Sequence, residues 1–356
     1  MSAVAWVAGL SPWPVDGFGL DRMRALLHAL GDPQEAFPAV HVVGTNGKST
    51  ATLTVEQLLL ADGLSTGATI SPHVRAFSER IRIDGREADL EEALGRVRAA
   101  AEEVAATQFE TLTAAALAAF AEAGVDAAVV EAGLGGRHDA TNVLRSRVVL
   151  LTNVGLEHTD VLGDTVEEIA REKLSVVHEE NTIVVLPDDT FAGLVPAGKI
   201  VIGGAREAAE AFVGHPIAAQ PVIALPGRLE HREGEVRDGA HNLDGVRWLV
   251  QRLPPADYTV CASILRDKDV DAMLAALAAV GRRFVATRSS NDRALPEDEL
   301  ARIAAPHFAL VEAIADPARA LERAHALGEP VLVAGSLYLL ADLAAAETGS
   351  ETACIE

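Results

Sequence analysis

A glycine-rich turn between residues 44 and 50 has the residue types and spacing of a phosphate-binding loop. The apolar run VHVVG leads into Gly44, Thr45, Asn46, Gly47, Lys48, Ser49 and Thr50, and helix-forming sequence follows. Two glycines let backbone N–H groups surround a phosphate, and the start of the helix adds its positive end. Lys48 can reach the β- and γ-phosphate oxygens, and Ser49 can ligate Mg²⁺. We therefore predict that this loop binds ATP with Mg²⁺; the alternative is a strand-to-helix turn that binds nothing.

Two further features suggest chemistry elsewhere in the chain. Glu131 ends the apolar run DAAVVE, and a carboxylate after a buried parallel strand commonly faces a ligand at the carboxyl edge of the sheet. Lysine is rare in this arginine-rich chain and occurs only at positions 48, 173, 199 and 268. A retained lysine suggests chemistry that requires a primary amine, because arginine stays protonated. The alternatives are a surface carboxylate for Glu131 and a solvated helix lysine for Lys173.

The composition predicts a globular protein of two domains and excludes several partners. The chain has 356 residues, of which 49% are hydrophobic and 23% charged, and it is too long for one ordinary core. A net charge of −22 argues against a broad nucleic-acid-binding face, which requires clustered Lys and Arg. No apolar run approaches the roughly 18 residues that span a bilayer, and no basic segment precedes the apolar N-terminus. Cys261 and Cys354 lack metal-ligand or redox spacing, so we expect a cytoplasmic protein without nucleic-acid or membrane partners.

Alternating apolar runs and amphipathic stretches predict an α/β fold in two parts. In the first part, strands are predicted at 38–44, 66–70, 126–133, 147–152 and 181–187, and helices at 49–62, 89–106, 110–123 and 165–177. In the second part, strands are predicted near 257–262, 283–287 and 330–334, and helices at 242–252, 269–280, 316–327 and 336–346. Residues 188–227 are less regular and end at ALPGRLE, which is typical of a linker. We predict an N-terminal P-loop ATPase-like domain with a mostly parallel sheet over residues 1–228, followed by a smaller Rossmann-like domain over residues 229–356.

Eight segments, in a fixed order, give the chain a resemblance to a known family. They are GLDRMRALLHALGDPQ, SPHVRAFSERIRIDG, TLTAAALAAFAEAGVDAAVVEAGLGGRHDATNV, LTNVGLEHTDVLGDTVEEIAREK, LPGRLE, DGAHN, LRDKD and VLVAGSLYLL. Together they cover most of residues 19–342, and the loop at Gly44 has the compressed form G-T-N-G-K-[ST] of Mur-type ligases. The chain therefore resembles the dihydrofolate synthase/folylpolyglutamate synthase branch of the Mur ligase family.

The resemblance implies an ATP-dependent ligase. Such an enzyme activates the carboxylate of dihydropteroate or (tetrahydro)folate as an acyl phosphate and joins it to the amine of L-glutamate, releasing ADP and phosphate. The resemblance also implies two Mg²⁺ ions, a monomer, and a second domain that closes and excludes water from the acyl phosphate. The alternatives are a Mur-type ligase that acts on a different acid and amine, and a non-catalytic ATP-binding homologue.

The family pattern further implies a metal site beside the loop. Glu131 and His158 would hold Mg²⁺, although His158 is a less typical ligand and could be a loop histidine bonded to a backbone carbonyl. Lys173 would be carbamylated by CO₂ and would help to hold a second Mg²⁺. Arginine could not replace it, because a guanidinium stays protonated.

Two neighbouring segments are candidates for binding the acid substrate. Arg137 and Asp139, in the loop AGLGGRHDATN, could position the acid or stabilise the acyl phosphate, and a purely structural turn is the alternative. The resemblance places Ser71, His73 and Arg80 at the border of the pterin-side pocket; the alternative is an ordered surface loop.

Residues of the second part would bind nucleotide and amino acid. By resemblance, Arg228 of LPGR would reach the nucleotide phosphates when the domains close, a task that suits a guanidinium. Asp238 and His241 of DGAHN would contact the nucleotide and the incoming amino acid. Asn242 is predicted to cap the following helix. Candidate contacts with the carboxylate of the amino acid are Lys268 and Ser336.

The chain departs from the family pattern in two places. Only about fifty residues separate Lys173 from Arg228, and the G-x-H-Q-x-x-N-A segment that helps the family bind adenine is missing; GHPIAAQ at 214–220 is a candidate remnant. The loop reads GKST where folate ligases usually read GKGS, which is closer to cell-wall Mur ligases. The first departure leaves open whether residues 174–227 provide an adenine site, and the second does not impair the chemistry of the loop.

Overall fold

The computed structural model describes residues 1–14 and 17–348, and the chain divides into two compact units. Unit 1 contains Met1–His73 and Phe77–Ile223, and unit 2 contains Val74–Ala76 and the described residues from 224 to 348. The division lies a few residues before the predicted boundary at residue 228. Within the described ranges, no helix is both long and apolar enough to cross a membrane. Cys354 lies outside the described residues.

Unit 1 is built on an eight-stranded sheet. Its strands are β1 (Ala39–Val43), β2 (Thr66–Thr69), β3 (Ile81–Ile83), β4 (Arg86–Glu87), β5 (Ala127–Glu131), β6 (Val148–Leu151), β7 (Ile183–Leu186) and β8 (Lys199–Ile202). Its helices are α1 (Ala3–Ala8), α2 (Asp21–Ala29), α3 (Lys48–Ala61), α4 (Leu90–Glu103), α5 (Gln108–Ala123), α6 (Thr159–Leu162), α7 (Val166–Leu174) and α8 (Ala205–Val213). The strand order is β4-β3-β2-β5-β1-β6-β7-β8, in which only β3 and β4 run antiparallel to their neighbours.

The central strands of unit 1 are apolar on both faces because helices cover both. Residues of α4 and α5 form the core on one face, and residues of α3 and α8 form it on the other. Strand β1 lies between β5 and β6, and the parallel register pairs Val42 with Glu131 and Val43 with Leu151. The segments that follow β1, β5 and β6 therefore leave the sheet at one carboxyl edge, where ligands of α/β sheets bind.

Unit 2 has a six-stranded sheet of its own. Its strands are β9 (Glu230–Arg232), β10 (Glu235–Arg237), β11 (Thr259–Ala262), β12 (Arg283–Ala286), β13 (Leu310–Ala313) and β14 (Val331–Ala334). Its helices are α9 (Leu243–Val250), α10 (Val270–Leu277), α11 (Glu297–Ala304), α12 (Pro317–Leu327) and α13 (Leu337–Thr348). The order is β13-β12-β11-β14-β10-β9, and only β9 is antiparallel to its neighbour. The predicted α/β class with two sheet domains is confirmed.

The prediction of a linker over residues 188–227 is wrong for its middle part. Strand β8 pairs in parallel with β7, and helix α8 packs against α3. The pattern was hard to recognise because β8 is a short edge strand whose Ile200 and Ile202 are exposed, so it lacks the alternation of a half-buried strand. The segment GHPIAAQ is bound to α8, since Arg206 donates to the carbonyls of Ile217 (2.6 Å) and Ala219 (2.5 Å).

Candidate active site

The turn between β1 and α3 forms an open cradle lined by backbone. Gly44 has φ +152°, and a Cβ at this position would collide with Thr152 Oγ1, so the close approach of β6 requires glycine. Gly47 has φ +80°, and no atom lies within 4 Å of the position of its missing Cβ. The amides of the first turn of α3 have no partner within the helix and so face this open space. An anion placed here would meet the positive end of α3.

Two residues directly after β6, Thr152 and Asn153, hold the loop in place, and the sequence did not predict this role for them. Asn153 accepts hydrogen bonds from Asn46 N at its side-chain oxygen (2.7 Å) and from Thr45 N at its carbonyl (3.0 Å). Thr152 Oγ1 donates to the carbonyl of Asn46 (2.8 Å). The dipeptide Thr152-Asn153, directly after an apolar strand, was the available signal. These contacts fix the loop before any ligand binds.

Ser49 and Glu131 meet at the floor of the cradle. Ser49 Oγ donates to Glu131 Oε1 (3.1 Å), Ser71 N donates to Glu131 Oε2 (3.1 Å), and the Ser49 and Glu131 side chains are buried. A hydroxyl and a carboxylate are the hard oxygen donors that Mg²⁺ prefers, and the open side of the loop leaves room for phosphate oxygens and water. The donor set therefore fits Mg²⁺. No group of three or more His, Cys, Asp or Glu side chains within residues 1–14 and 17–348 could hold a metal alone, so a cation here would need ligands from Ser49 and the nucleotide.

Lys173 is buried, which excludes a solvated helix lysine. It lies in the last turn of α7, is 4% exposed, and its Nζ donates to the carbonyl of Gly44 (2.8 Å). Burial, helped by the positive charge of Lys48, lowers the pKa of Lys173 to about 7. Lys48 Nζ lies 3.4 Å from the carbonyl of Thr45. The structure thus brings both predicted lysines to the loop.

His158 lies at the exposed start of α6. Its backbone has φ +51°, in the left-handed region that is uncommon for residues other than glycine. Leu156 and Val161, on either side of it, are also exposed. The predicted role of His158 in metal binding stays a prediction.

The loop after β5 is held by Asp139. Its Oδ2 accepts from Leu134 N (2.7 Å), its Oδ1 accepts from Thr141 N (3.0 Å) and from the Thr141 hydroxyl, and burial raises its pKa. These contacts favour the structural alternative for Asp139. Arg137 is exposed and pairs with Glu172 of α7 (3.1 Å).

The predicted pterin-side residues form a buried group. Arg80 Nε donates to His73 Nδ1 (2.9 Å), and His73 packs on Phe77 with ring centroids 4.3 Å apart. His73 is fully buried and Arg80 almost so, and burial followed by the charge of Arg80 lowers the pKa of His73 to about 2. The alternative of an ordered surface loop is therefore wrong for these two side chains, because both lie in the interior.

In unit 2, three predicted residues, Asp238, His241 and Asn242, follow the carboxyl end of β10, and Arg228 lies just before β9. Asp238 accepts from Leu229 N (2.7 Å) and Ala240 N (2.8 Å), and burial raises its pKa. Arg228 Nη1 donates to the carbonyl of Gly227 (3.2 Å), and His241 Nδ1 lies 2.9 Å from the carbonyl of Gly239. Asn242 caps α9 as predicted, since its side chain accepts from Gly245 N (2.8 Å).

The two candidate carboxylate contacts differ in their surroundings. Lys268 is mostly buried, and its Nζ lies 3.4 Å from the carboxylate of Asp267. Ser336 is 1% exposed, and its hydroxyl accepts from Tyr338 N (3.1 Å) at the start of α13. The hydroxyl of Ser336 therefore serves the turn after β14, and its predicted contact with the amino acid stays untested.

Known proteins match this arrangement over most of its length. The Mur ligase middle domain model matches residues 42–207. The dihydrofolate synthase/folylpolyglutamate synthase of Mycobacterium tuberculosis is 31% identical over 381 residues, covering 81% of this chain and 78% of that protein.

Two solved structures are similar across both units. E. coli FolC in complex with DHPP and ADP has a TM-score of 0.84 and 26% identity, and 98% of each chain is covered. The bifunctional folylpolyglutamate synthase/dihydrofolate synthase of Yersinia pestis with Mn, AMPPNP and L-glutamate bound has a TM-score of 0.83 and 28% identity, again with 98% of each chain covered. Since the Mycobacterium tuberculosis relative is matched over most of both chains, the chain belongs to the dihydrofolate synthase/folylpolyglutamate synthase family of Mur ligases.

Proposed function

We propose that this protein adds L-glutamate to dihydropteroate, to (tetrahydro)folate or to both, with ATP converted to ADP and phosphate. The observation that carries the proposal is the cradle of residues 44–50, with the Ser49–Glu131 pair and Lys173 directly beside it. Membership of the family supports the choice of substrates, because the similar proteins are named for this reaction and are solved with nucleotide, DHPP and L-glutamate.

The first step forms an acyl phosphate. An oxygen of the substrate carboxylate attacks the γ-phosphorus of ATP, the bond to the bridging oxygen breaks, and ADP leaves with that electron pair. The amides at the start of α3 and the ammonium of Lys48 stabilise the charge on the transferring group, because they are placed before the reaction begins. When bound to Ser49 and Glu131, Mg²⁺ supplies further neutralisation of phosphate charge.

The second step forms the amide. The neutral amine of glutamate attacks the acyl carbon, phosphate leaves with the bonding pair, and the amine loses a proton. We assign the amino acid to unit 2, where Asp238, His241 and Lys268 offer charged and polar groups at or near the carboxyl edge of the second sheet.

Lys173 is proposed to act as a carbamate. With a pKa of about 7, a large share of its side chain is neutral amine at physiological pH, and the neutral amine is the form that attacks CO₂. The lone pair of the neutral amine forms the new N–C bond while one C=O π bond of CO₂ gives its electron pair to oxygen. The nitrogen then loses a proton to water, so the amine becomes an anionic carbamate beside Lys48. Such a group fits a second Mg²⁺, as the family pattern implies.

We also propose that the enzyme acts as a cytoplasmic monomer with small molecules as its partners. The two widely spaced cysteines and the net charge of −22 support this. Light scattering of the purified chain during gel filtration tests the monomer directly.

The test is an ATP assay with 7,8-dihydropteroate and L-glutamate. ADP and phosphate should appear together, in equal amounts, and only when both the acid and glutamate are present. Release of AMP and pyrophosphate would exclude the mechanism. ATP binding without turnover on any acid would indicate the non-catalytic alternative, and turnover only with a different acid or amine would indicate another Mur-type ligase.

A further inference from the structure

His41 is a buried histidine in the strand that carries the phosphate loop. It lies three residues before Gly44 in β1, is fully buried, and shares a strand face with Ala39 and Val43. Its Nε2 lies 2.8 Å from Thr141 Oγ1, on the far side of the loop that follows β5. A buried imidazole among apolar side chains is costly unless it has a specific partner.

The hydrogen bond between His41 and Thr141 has one direction, from His41 to Thr141. Asp139 accepts from Leu134 N, Thr141 N and the Thr141 hydroxyl, so Thr141 gives its single hydroxyl proton to Asp139. The oxygen of Thr141 is then an acceptor, and His41 must donate from Nε2. Burial, helped by the charge of His178, lowers the pKa of His41 to about 3, so the ring is neutral and its single proton is the one on Nε2. In the described part of the chain, Nδ1 has no hydrogen-bond partner, as expected for the unprotonated nitrogen.

The same loop packs against the turn of α7 that contains Lys173. A Cβ on Gly136 would lie 2.5 Å from the carbonyl oxygen of Glu172 and 2.7 Å from that of Lys173, so the loop backbone lies directly against the last turn of α7. Arg137 N donates to the side chain of Glu172 (2.9 Å). Lys173 in turn donates to the carbonyl of Gly44, at the end of the strand that contains His41.

Together, these contacts form a closed ring of links that joins β1, the loop at 133–142 and Lys173. The ring runs from His41 through Thr141 and Asp139 to Gly136, whose carbonyl accepts from Asp139 N (3.2 Å). It continues from Gly136 through Lys173 to Gly44 and returns along β1. If the hydrogen bond between His41 and Thr141 is removed, this direct connection between β1 and the loop at 133–142 is lost. The loop could then shift against α7 and move Lys173 relative to the phosphate cradle.

We propose that His41 is a positioning residue for the ligase reaction. Through its hydrogen bond to Thr141, His41 fixes the position of Lys173 relative to the phosphate loop. The inference rests on the proposed function for its kinetic meaning, whereas the mechanical link between His41 and the loop does not depend on activity. His41 touches neither nucleotide nor acid in this scheme and acts only through the loop at 133–142.

Kinetics test the positioning role with paired substitutions. His41→Leu and Thr141→Val remove the hydrogen bond, and His41→Gln and Thr141→Ser keep a donor and a hydroxyl. We expect the first pair to lose about tenfold or more in kcat with KM for ATP changed by no more than about twofold, because misplacement near the reacting groups costs rate rather than nucleotide binding. The second pair should recover most of the rate. Thr141→Val also removes the hydroxyl bond to Asp139. The double variant His41→Leu/Thr141→Val should therefore be no slower than Thr141→Val alone, since that single variant has already lost the His41 link.

Thr182→Val is the matched control. Thr182 is also buried in unit 1 and donates its hydroxyl to a backbone carbonyl, that of Ser146 (3.1 Å), but it lies outside the ring. This variant should lower stability while kcat stays at the wild-type value. Equal kcat losses in Thr182→Val and Thr141→Val would overturn the positioning role, as would wild-type kcat in a folded His41→Leu protein.

Amide hydrogen exchange tests the mechanical link without relying on turnover. The amides of Leu134 and Thr141, both bonded to Asp139, should exchange about tenfold faster in His41→Leu than in the wild type, and near the wild-type rate in His41→Gln. Unchanged exchange in His41→Leu would overturn the inference even if the enzyme is active. If the wild type makes no amide with any acid, the proposed function fails, and the exchange data still decide the link.

Discussion

Lys48 and Lys173 share one small region of unit 1 but have different surroundings. Lys48 stands at the first position of α3 beside the open cradle, whereas Lys173 is buried against the carbonyl of Gly44. Two ammonium groups this close repel each other, and the buried one is the easier to discharge because it also lacks water. Lys48 is therefore suited to bind phosphate as a cation, and Lys173 to react as an amine.

Lys48→Ala should abolish most of the activity. Removing a charge placed to stabilise the transferring phosphoryl group is expected to lower kcat by about 100-fold or more. Lys199→Ala removes a lysine of the exposed edge strand β8 and should leave kcat unchanged. Phosphate release at saturating substrates measures both. Equal rates for Lys48→Ala and wild type would show that the loop does not act on the transferred phosphate.

The activity should depend on CO₂. Buffer stripped of CO₂ should lower kcat, and added bicarbonate should restore it, because the proposed carbamate of Lys173 would form reversibly. Lys173→Arg should be nearly inactive at every bicarbonate concentration, since a guanidinium cannot be carbamylated. A carbamate signal after labelling with ¹³C-bicarbonate, seen in the wild type and missing in Lys173→Arg, would identify the group. An activity insensitive to CO₂ and a wild type without that signal would contradict the proposal.

Helix α7 positions Lys173 through both of its ends. Its start is set by a capping box, in which Thr165 and Glu168 satisfy each other's backbone amides. Its last turn lies against Gly136, where the missing side chain allows contact between the backbones, and a Cβ on the neighbouring Gly135 would meet the side chains of Leu162 and Glu172. The sequence motif GLGG therefore has a packing reason in addition to any role in substrate binding.

Gly136→Ala should displace α7. The added methyl group would overlap the carbonyls of Glu172 and Lys173, and rigid backbone can relieve this only by moving, at a cost of about 1–3 kcal/mol. Gly95→Ala is the control, because Gly95 is exposed within α4 with no atom within 4 Å of its missing Cβ. That change should raise stability by about 0.5–1 kcal/mol. Urea unfolding measures both, and a neutral Gly136→Ala would contradict the close contact.

At the scale of the whole molecule, each unit combines a mostly parallel sheet with helices, and unit 1 buries two histidines, His41 and His73. Burial comes first among the causes that lower the pKa of His41 to about 3 and that of His73 to about 2. Unfolded histidine titrates near pH 6.5. Between these values the unfolded chain binds protons that the folded chain does not, so folding stability falls as the pH falls below about 6.5.

Unit 1 should therefore lose stability in mild acid. Each of the two histidines is expected to contribute about 1.4 kcal/mol per pH unit once the pH is well below about 6.5. Urea unfolding at about pH 7 and about pH 5.5 should show this loss in the wild type and a smaller one in His41→Gln. His28→Gln, at an exposed position of α2, is the control and should keep the wild-type slope. A wild-type stability that does not change over this interval would contradict the burial of neutral histidines.

The sequence by itself determined the family, the two-part α/β fold and the phosphate loop. These follow from local patterns, namely apolar runs of strand length, a strand–glycine–helix turn, and an Asn242 cap within one helical turn of its partner. The prediction failed at β8, because an exposed edge strand carries little burial signal, and it missed Thr152 and Asn153, because their partners lie over a hundred residues earlier in the chain.

Only the tertiary structure decided which polar residues are buried together. The sequence left Lys173 open between a solvated and a reactive lysine, and Asp139 open between substrate and structure. Burial and a long-range hydrogen bond to Gly44 favour one answer for Lys173, and burial with hydrogen bonds inside its own loop favours one for Asp139. No local pattern distinguishes His41 from its neighbours in an apolar strand. Its Nε2 nevertheless lies 2.8 Å from the hydroxyl oxygen of Thr141, which is 100 residues away in sequence. Such contacts depend on how parallel strands are ordered in the sheet, and that order is not a local property of the chain.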